Sequence, residues 1–181
     1  MFKVINGGQL PTRGSKYSAA VDLYAREDVL IGAGDTKLIP LGICIDLSHF
    51  ENLSEYQKEN MAFAVDENGE EPIDAFKKSH YLQLMLRSSL SKELIIANGV
   101  GVIDLDYKDE IMIRVHKPLR TCSYGVNESG NNHFEVDYKD DLLIKKGDRV
   151  AQITLLEHKG YLFGIDTEDE RTGGFGSSGV N

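Results

Sequence analysis

Near its C-terminal end the chain carries Arg171-Thr-Gly-Gly-Phe-Gly-Ser-Ser-Gly179, a string whose side chains suit a phosphate chain. Arg171 offers a planar, permanently charged fork for phosphate oxygens. The glycines, Gly176 among them, let the backbone come close to a ligand and turn its N–H groups toward an anion. Ser177 and Ser178 add hydroxyl donors, and Phe175 is the large flat apolar group of the string. Two readings stand: a mobile arm over residues 168–181 that closes on a phosphorylated ligand, or a frayed tail, the usual fate of a terminus with this composition. Gly174-Phe-Gly-Ser-Ser-Gly179 also matches G-x-G-x-x-G. A dinucleotide fingerprint needs a helix after it and an acidic residue about twenty positions on, so its place in the chain argues against that fold.

A second chemical locus is Asp104, flanked by Ile103 and Leu105 at the end of an apolar run, with Tyr107 on the same turn. An isolated carboxylate there either caps a turn by accepting from backbone donors or serves as a general base. Arg87-Ser88-Ser89 supplies a charge and two hydroxyls for phosphate oxygens; alternatively Arg87 pairs with a carboxylate such as Asp148 and holds two strands together. Asp22 lies in the apolar run Ala19–Ala25, and Gln152 in Val150–Leu156, where alternation equally allows a plain solvent-facing side chain.

These residues sit on elements that read as strands. Ala19–Ala25, two strands within Val29–Leu47, Tyr81–Leu86, Ile95–Ile103, Glu110–His116, Leu142–Ile144 and Val150–Leu156 are short apolar runs separated by Gly, Asp and Pro. Many short strands with closely spaced turns predict an all-β sandwich or jelly roll. One segment departs from this pattern. Ser48-His-Phe-Glu51 fits a capping box, and Phe50, Leu53 and Tyr56 follow at helical spacing, which predicts a helix from Ser48 to about Asn60. A second helical turn is expected over Ile73–Lys78, after an acidic loop and Pro72.

The whole chain of 181 residues suits one domain with its own core. A net charge of −9 argues against a nucleic-acid surface or an anionic membrane as partner, since both call for clustered Lys and Arg. It leaves room for one small anion held by local positive groups or a metal. Cys44 and Cys122 are too few for a disulfide framework and read as reduced. The histidines show no zinc-site spacing, and no apolar run approaches a membrane span, so a soluble cytoplasmic protein is expected.

Read in order, Ala19-Ala-Val-Asp-Leu-Tyr-Ala25, Arg87-Ser-Ser-Leu90, Asn98-Gly-Val-Gly-Val-Ile-Asp-Leu-Asp-Tyr107, Gly147-Asp-Arg-Val-Ala-Gln152 and the terminal string resemble the five motifs of the homotrimeric dUTPase family, in the family's order. The resemblance implies an all-β fold, a distorted jelly-roll or β-clip barrel, here with a short helical insertion. It implies hydrolysis of dUTP to dUMP and pyrophosphate, which limits uracil incorporation into DNA. In that scheme Asp104 is the base that deprotonates water for attack on the α-phosphorus. Tyr107 packs under the deoxyribose and leaves no room for a 2′-hydroxyl, while Asn98 and the backbone of Gly99 read the uracil edge. Arg87, Ser88, Ser89 and Gln152 hold the phosphates; Arg171 acts as an arginine finger; Phe175 stacks on the base, with Gly176, Ser177 and Ser178 closing over the triphosphate. Asp22 holds a hydrated Mg²⁺ through water. The family's trimers share each site among chains, so dUTP and two further copies are the implied partners.

The sequence also departs from the family pattern. Ala20 stands where Gly is common, Leu86 replaces the Pro before Arg87, and Lys108-Asp109 replaces Arg-Gly after the tyrosine. Gly at the last position permits a positive φ, so Asp109 bears on the geometry of the hairpin. Segments 48–79 and 119–132 read as insertions, either surface excursions or a protein-partner surface or cover near the site, and deleting residues 49–78 is expected to leave hydrolysis largely intact. Two other functions remain open: a dCTP deaminase-like or bifunctional relative, for which no catalytic glutamate stands in a matching motif, and a nucleotide-sensing module that binds a protein through the insertions.

Overall fold

Alternation assigns the faces of the strands nearest Asp104 and Tyr107. In β9 (Gly101–Asp104) Gly101 and Ile103 are buried while Val102 and Asp104 face out. In β10 (Met112–His116) Ile113 and Val115 are fully buried. The computed structural model describes residues 1–48, 72–119, 121–126, 128–136 and 141–165. The predicted helix from Ser48 to Asn60, beyond its first residue, and the terminal arm with Arg171, Phe175, Gly176, Ser177 and Ser178 lie outside the described residues.

The remaining strands are β1 (Phe2–Val4), β2 (Thr12–Arg13), β3 (Val21–Tyr24), β4 (Val29–Ile31), β5 (Thr36–Pro40), β6 (Ile43–Ile45), β7 (His80–Leu86), β8 (Ile95–Ile96), β11 (Thr121–Val126), β12 (Asn132–Val136), β13 (Leu142–Ile144) and β14 (Arg149–Glu157). The largest sheet runs in the order β2-β3-β14-β7-β9, and a second runs β5-β10-β8. Pairs β1–β6, β4–β13 and β11–β12 complete the mostly β architecture expected from the sequence. Every pairing among the described residues is antiparallel. Leu23, Ile39, Ile43, Leu82, Ile113, Val150 and Ile153 meet in one core drawn from both larger sheets and the β1–β6 pair.

Two expectations need correction. Residues 29–47 form three strands, because Gly34 (φ 84°) and Gly42 (φ 64°) turn the chain twice. Gly42 packs against Gly8 so closely that neither has room for a Cβ. The run 95–103 is two strands in different sheets, broken at Gly99 (φ 74°): β8 pairs β10, whereas β9 pairs β7. As for segment 119–132, β11 within it pairs antiparallel with β12, which runs on to Val136.

The expected second helical turn is α1 (Pro72–Ser79). Pro72 suits its first position, and Asp74 near the start with Lys77 and Lys78 at the end suits the helix dipole. Phe76 is only 2% exposed and stacks at a tilt on His80, with ring centroids 4.6 Å apart. A deletion of 49–78 would thus remove a side chain of the core. Phe76→Ala is expected to destabilise the fold by about 3–5 kcal/mol, read as a lower urea midpoint at unchanged slope.

Candidate active site

The residues singled out by the sequence fall into two groups. The first forms around Asp22, where β14 lies between β3 and β7. Register places Gln152 opposite Asp22 on one side and opposite Met85 on the other. Gln152 Nε2 donates to Asp22 Oδ1 at 3.0 Å, and Arg149 Nη1 reaches Oδ2 at 3.3 Å. Arg87, just past the end of β7, brings Nη1 to 2.5 Å from the same Oδ2. Arg87 is thereby engaged on one side by a buried carboxylate. A guanidinium carries five N–H donors, so the pairing with Asp22 leaves others that a phosphate oxygen could accept.

Asp22 is 4% exposed. Burial by itself raises its carboxyl, but the Gln152 hydrogen bond and the charges of Arg87 and Arg149 outweigh it and hold the group below the ordinary value of 3.8. Arg87 thus pairs with Asp22 and not with Asp148, whose carboxylate instead accepts from the Lys145 N–H at 2.9 Å and closes the turn before β14. Ser88 and Ser89 follow on an exposed turn where Leu90 N–H donates to the Arg87 carbonyl at 3.0 Å.

The second group surrounds β9. Asp104 is exposed at its end, and its carbonyl accepts from the Tyr107 N–H at 3.1 Å, closing the turn the two share. Tyr107 is 6% exposed and its hydroxyl donates to the Glu110 carbonyl at 3.2 Å. A cleft bounded by Asn98, Gly101, Val102, Tyr107, Met112 and Arg114 opens beside it. Asp109 keeps an ordinary negative φ, so this hairpin needs no glycine there. Asp104 and Asp106 also line a second hollow, with Asp74, Lys77 and Lys78 of α1 and with His158. Sequence reasoning did not single out Arg114, Lys78 or His158. Alternation placed Arg114 on the same strand face as Met112, but nothing local announced that α1 would lie against this turn.

The two groups are not adjacent within one chain. Asp104 pairs with Tyr81 at one end of β7, and Arg87 follows the other end. Six residues of extended strand put them ~20 Å apart.

As to a metal, both Asp22 oxygens are engaged, and a cation could bind directly only by displacing a guanidinium. Of about four lone-pair directions three are taken, so Asp22 fits a metal only as the acceptor of a hydrogen bond from one metal-bound water. Among the described residues no cluster of three His, Cys, Asp or Glu could hold an ion. Nor is any helix among them long and apolar enough to cross a membrane.

No protein-family model matches the chain. Individual proteins do. It is 30% identical over 181 residues to the deoxyuridine 5′-triphosphate nucleotidohydrolase of Rickettsia typhi, spanning 96% of this chain and 90% of that protein. The enzyme of the same name from Desulfitobacterium hafniense is also 30% identical over 181 residues, spanning 96% and 89%. In fold it is similar to a Staphylococcus bacteriophage 80alpha dUTPase variant solved with dUpNHpp, at TM-score 0.60 and 18% identity, covering 99% of this chain and 98% of that one. Relatives aligned at this identity over almost their full length, together with a shared fold, place the chain in the dUTPase family.

Proposed function

We propose that this protein hydrolyses dUTP to dUMP and pyrophosphate, with Asp104 as the base. The observation that carries the reading is the Asp104–Tyr107 turn at the lip of the Asn98 cleft. Tyr107 is buried and hydrogen-bonded, so its ring is a fixed wall against which a deoxyribose packs and a 2′-hydroxyl clashes. Asn98 and the Gly99 backbone pair with the uracil edge, where a wrong base leaves polar groups unpaired. Asp104 accepts a proton from water as that water attacks the α-phosphorus, and the bond to the departing pyrophosphate breaks.

Arg87, held by Asp22, donates remaining N–H groups to a phosphate oxygen, with Ser88, Ser89 and Gln152 beside it. Arg171, Phe175, Gly176, Ser177 and Ser178 are assigned to closure over the bound nucleotide. Mg²⁺, when bound with the triphosphate, neutralises charge on the leaving group, and Asp22 is its proposed protein acceptor, through water. A relative by fold, a mutant dUTPase from phage phi11 of S. aureus, coordinates a structural Mg(II) ion.

A separation of ~20 Å between Asp104 and Arg87 supports a site assembled from neighbouring copies, in a homotrimer. Mixing makes this testable. Assemblies formed from D104N chains and R87A chains, each inactive alone, contain some sites with both parental residues. For random mixing in equal amounts about a quarter of sites are intact, so about a quarter of parental activity returns. No recovery in refolded mixed assemblies would place both residues of a site in one chain.

The activity itself is tested by incubating the protein and Mg²⁺ with dUTP, dCTP, dTTP and UTP separately and measuring pyrophosphate and monophosphate. Hydrolysis of dUTP alone is expected; release of ammonia from dCTP would instead indicate a deaminase. Truncation before Arg171 is expected to remove most turnover without lowering Tm.

A further inference from the structure

Glu110 joins the Tyr107 turn to distant parts of the chain. Its Oε1 accepts from Arg26 Nε and from the Gly42 N–H, both at 2.8 Å. Its Oε2 accepts from Asn6 Nδ2 at 3.2 Å. The side chain is 14% exposed, so it ties these three segments together from a largely buried position. At its other end, the Glu110 carbonyl receives the Tyr107 hydroxyl at 3.2 Å. The next residue, Ile111, is held on both sides: its N–H donates to Ile43 at 2.8 Å and its carbonyl accepts from Leu41 at 3.1 Å. The donors are themselves rigid. Gly42 lies backbone against backbone on Gly8, and Asn6 sits in a left-handed turn at φ 51°.

We propose that Glu110 is a positioning residue for sugar selectivity. By pegging its own backbone to the Arg26–Gly42–Asn6 corner it fixes the carbonyl that holds the Tyr107 hydroxyl, and so the tilt of the ring against which the pentose lies. This rests on the reading of Tyr107 as the wall that rejects a 2′-hydroxyl. A wall excludes a single oxygen atom only if it cannot swing, and Tyr107 is anchored through Glu110 at the far end of its side chain. Without the peg the turn carrying Tyr107 keeps its fold but gains freedom, and a ribonucleotide is admitted.

The experiment measures kcat and KM for dUTP and for UTP, with Tm alongside, in the parent protein, E110A, E110Q and Y107F. E110A is expected to lower the dUTP-over-UTP ratio of kcat/KM roughly tenfold, with most of the change in UTP. E110Q is expected to restore the ratio, because the retained Oε1 accepts from both Arg26 and Gly42 and the Asn6 amide can turn to match. Y107F, which removes only the hydroxyl, lowers the ratio like E110A, and the double variant falls no further. A lower Tm in E110A with the parental ratio would overturn the proposal by making Glu110 a purely structural residue. An unchanged ratio in Y107F would overturn it without relying on any Glu110 variant. A parent protein that does not hydrolyse dUTP defeats the underlying site reading and takes this inference with it.

Discussion

Asp104→Asn will abolish turnover of dUTP while leaving its binding intact. Asparagine has the same shape as aspartate and keeps the backbone carbonyl that receives the Tyr107 N–H, so the turn closes as before. What it loses is the ability to take a proton. Asp104 is exposed at the end of β9, beside the hollow shared with Lys77, Lys78 and His158, where a water can reach it. Loss of a general base costs on the order of 10²–10⁴ in kcat. Because substrate contacts assigned to Asn98, Tyr107 and Arg87 are untouched, the Kd for a non-hydrolysable dUTP analogue should change little. Stopped-flow pyrophosphate release and calorimetric titration provide the two numbers. Turnover near the parental rate would remove Asp104 from its role, and loss of binding with turnover would make the residue structural.

Asp22→Ala should lower stability and activity together. The substitution strands Arg87 and Arg149 beside each other without their shared carboxylate, and the Arg87 side chain is only 20% exposed. Removing one partner of a largely buried pair costs about 3 kcal/mol or more, mainly through the charge left behind. Arg87 then loses the contact that aims it, and kcat/KM for dUTP is expected to fall at least tenfold, the effect of about 1.4 kcal/mol of lost transition-state contact.

The pH dependence has a definite sign. The folded carboxyl of Asp22 titrates below its unfolded value near 3.8, so at intermediate pH the unfolded chain binds more protons. The stabilisation from Asp22 is present in full above that unfolded value and is lost as pH falls through the folded one. Urea unfolding of parent and D22A should thus differ most near neutrality, with the gap closing below pH 3.8. A gap that widens toward acid would mean that Asp22 is not the ionised partner of Arg87. A gap of no size at neutral pH would mean that the pair contributes nothing to the fold.

Short-range pattern carried much of this protein. Short apolar runs bounded by turn residues located β7, β10 and β14 to within a residue or two at each end. That Asp104 and Tyr107 share a turn was legible because they stand three residues apart. The helix of Pro72–Ser79 was legible as a short amphipathic turn over Ile73–Lys78.

Pairings between segments distant in sequence were not legible. Arg87 found Asp22 and not Asp148 because β14 settles between β3 and β7, a register that no local spacing encodes. Phe76 joined the core, and Glu110 came to serve Asn6, Arg26 and Gly42, through contacts between parts of the chain up to 104 positions apart. The length of β7 likewise keeps Asp104 and Arg87 at opposite ends of one strand, although their motifs lie close together in sequence. Residue type and parity act over a few bonds, so they can be read along the chain. Which carboxylate meets which cation depends on how the sheets close around a common core, and that is settled only when the whole chain packs.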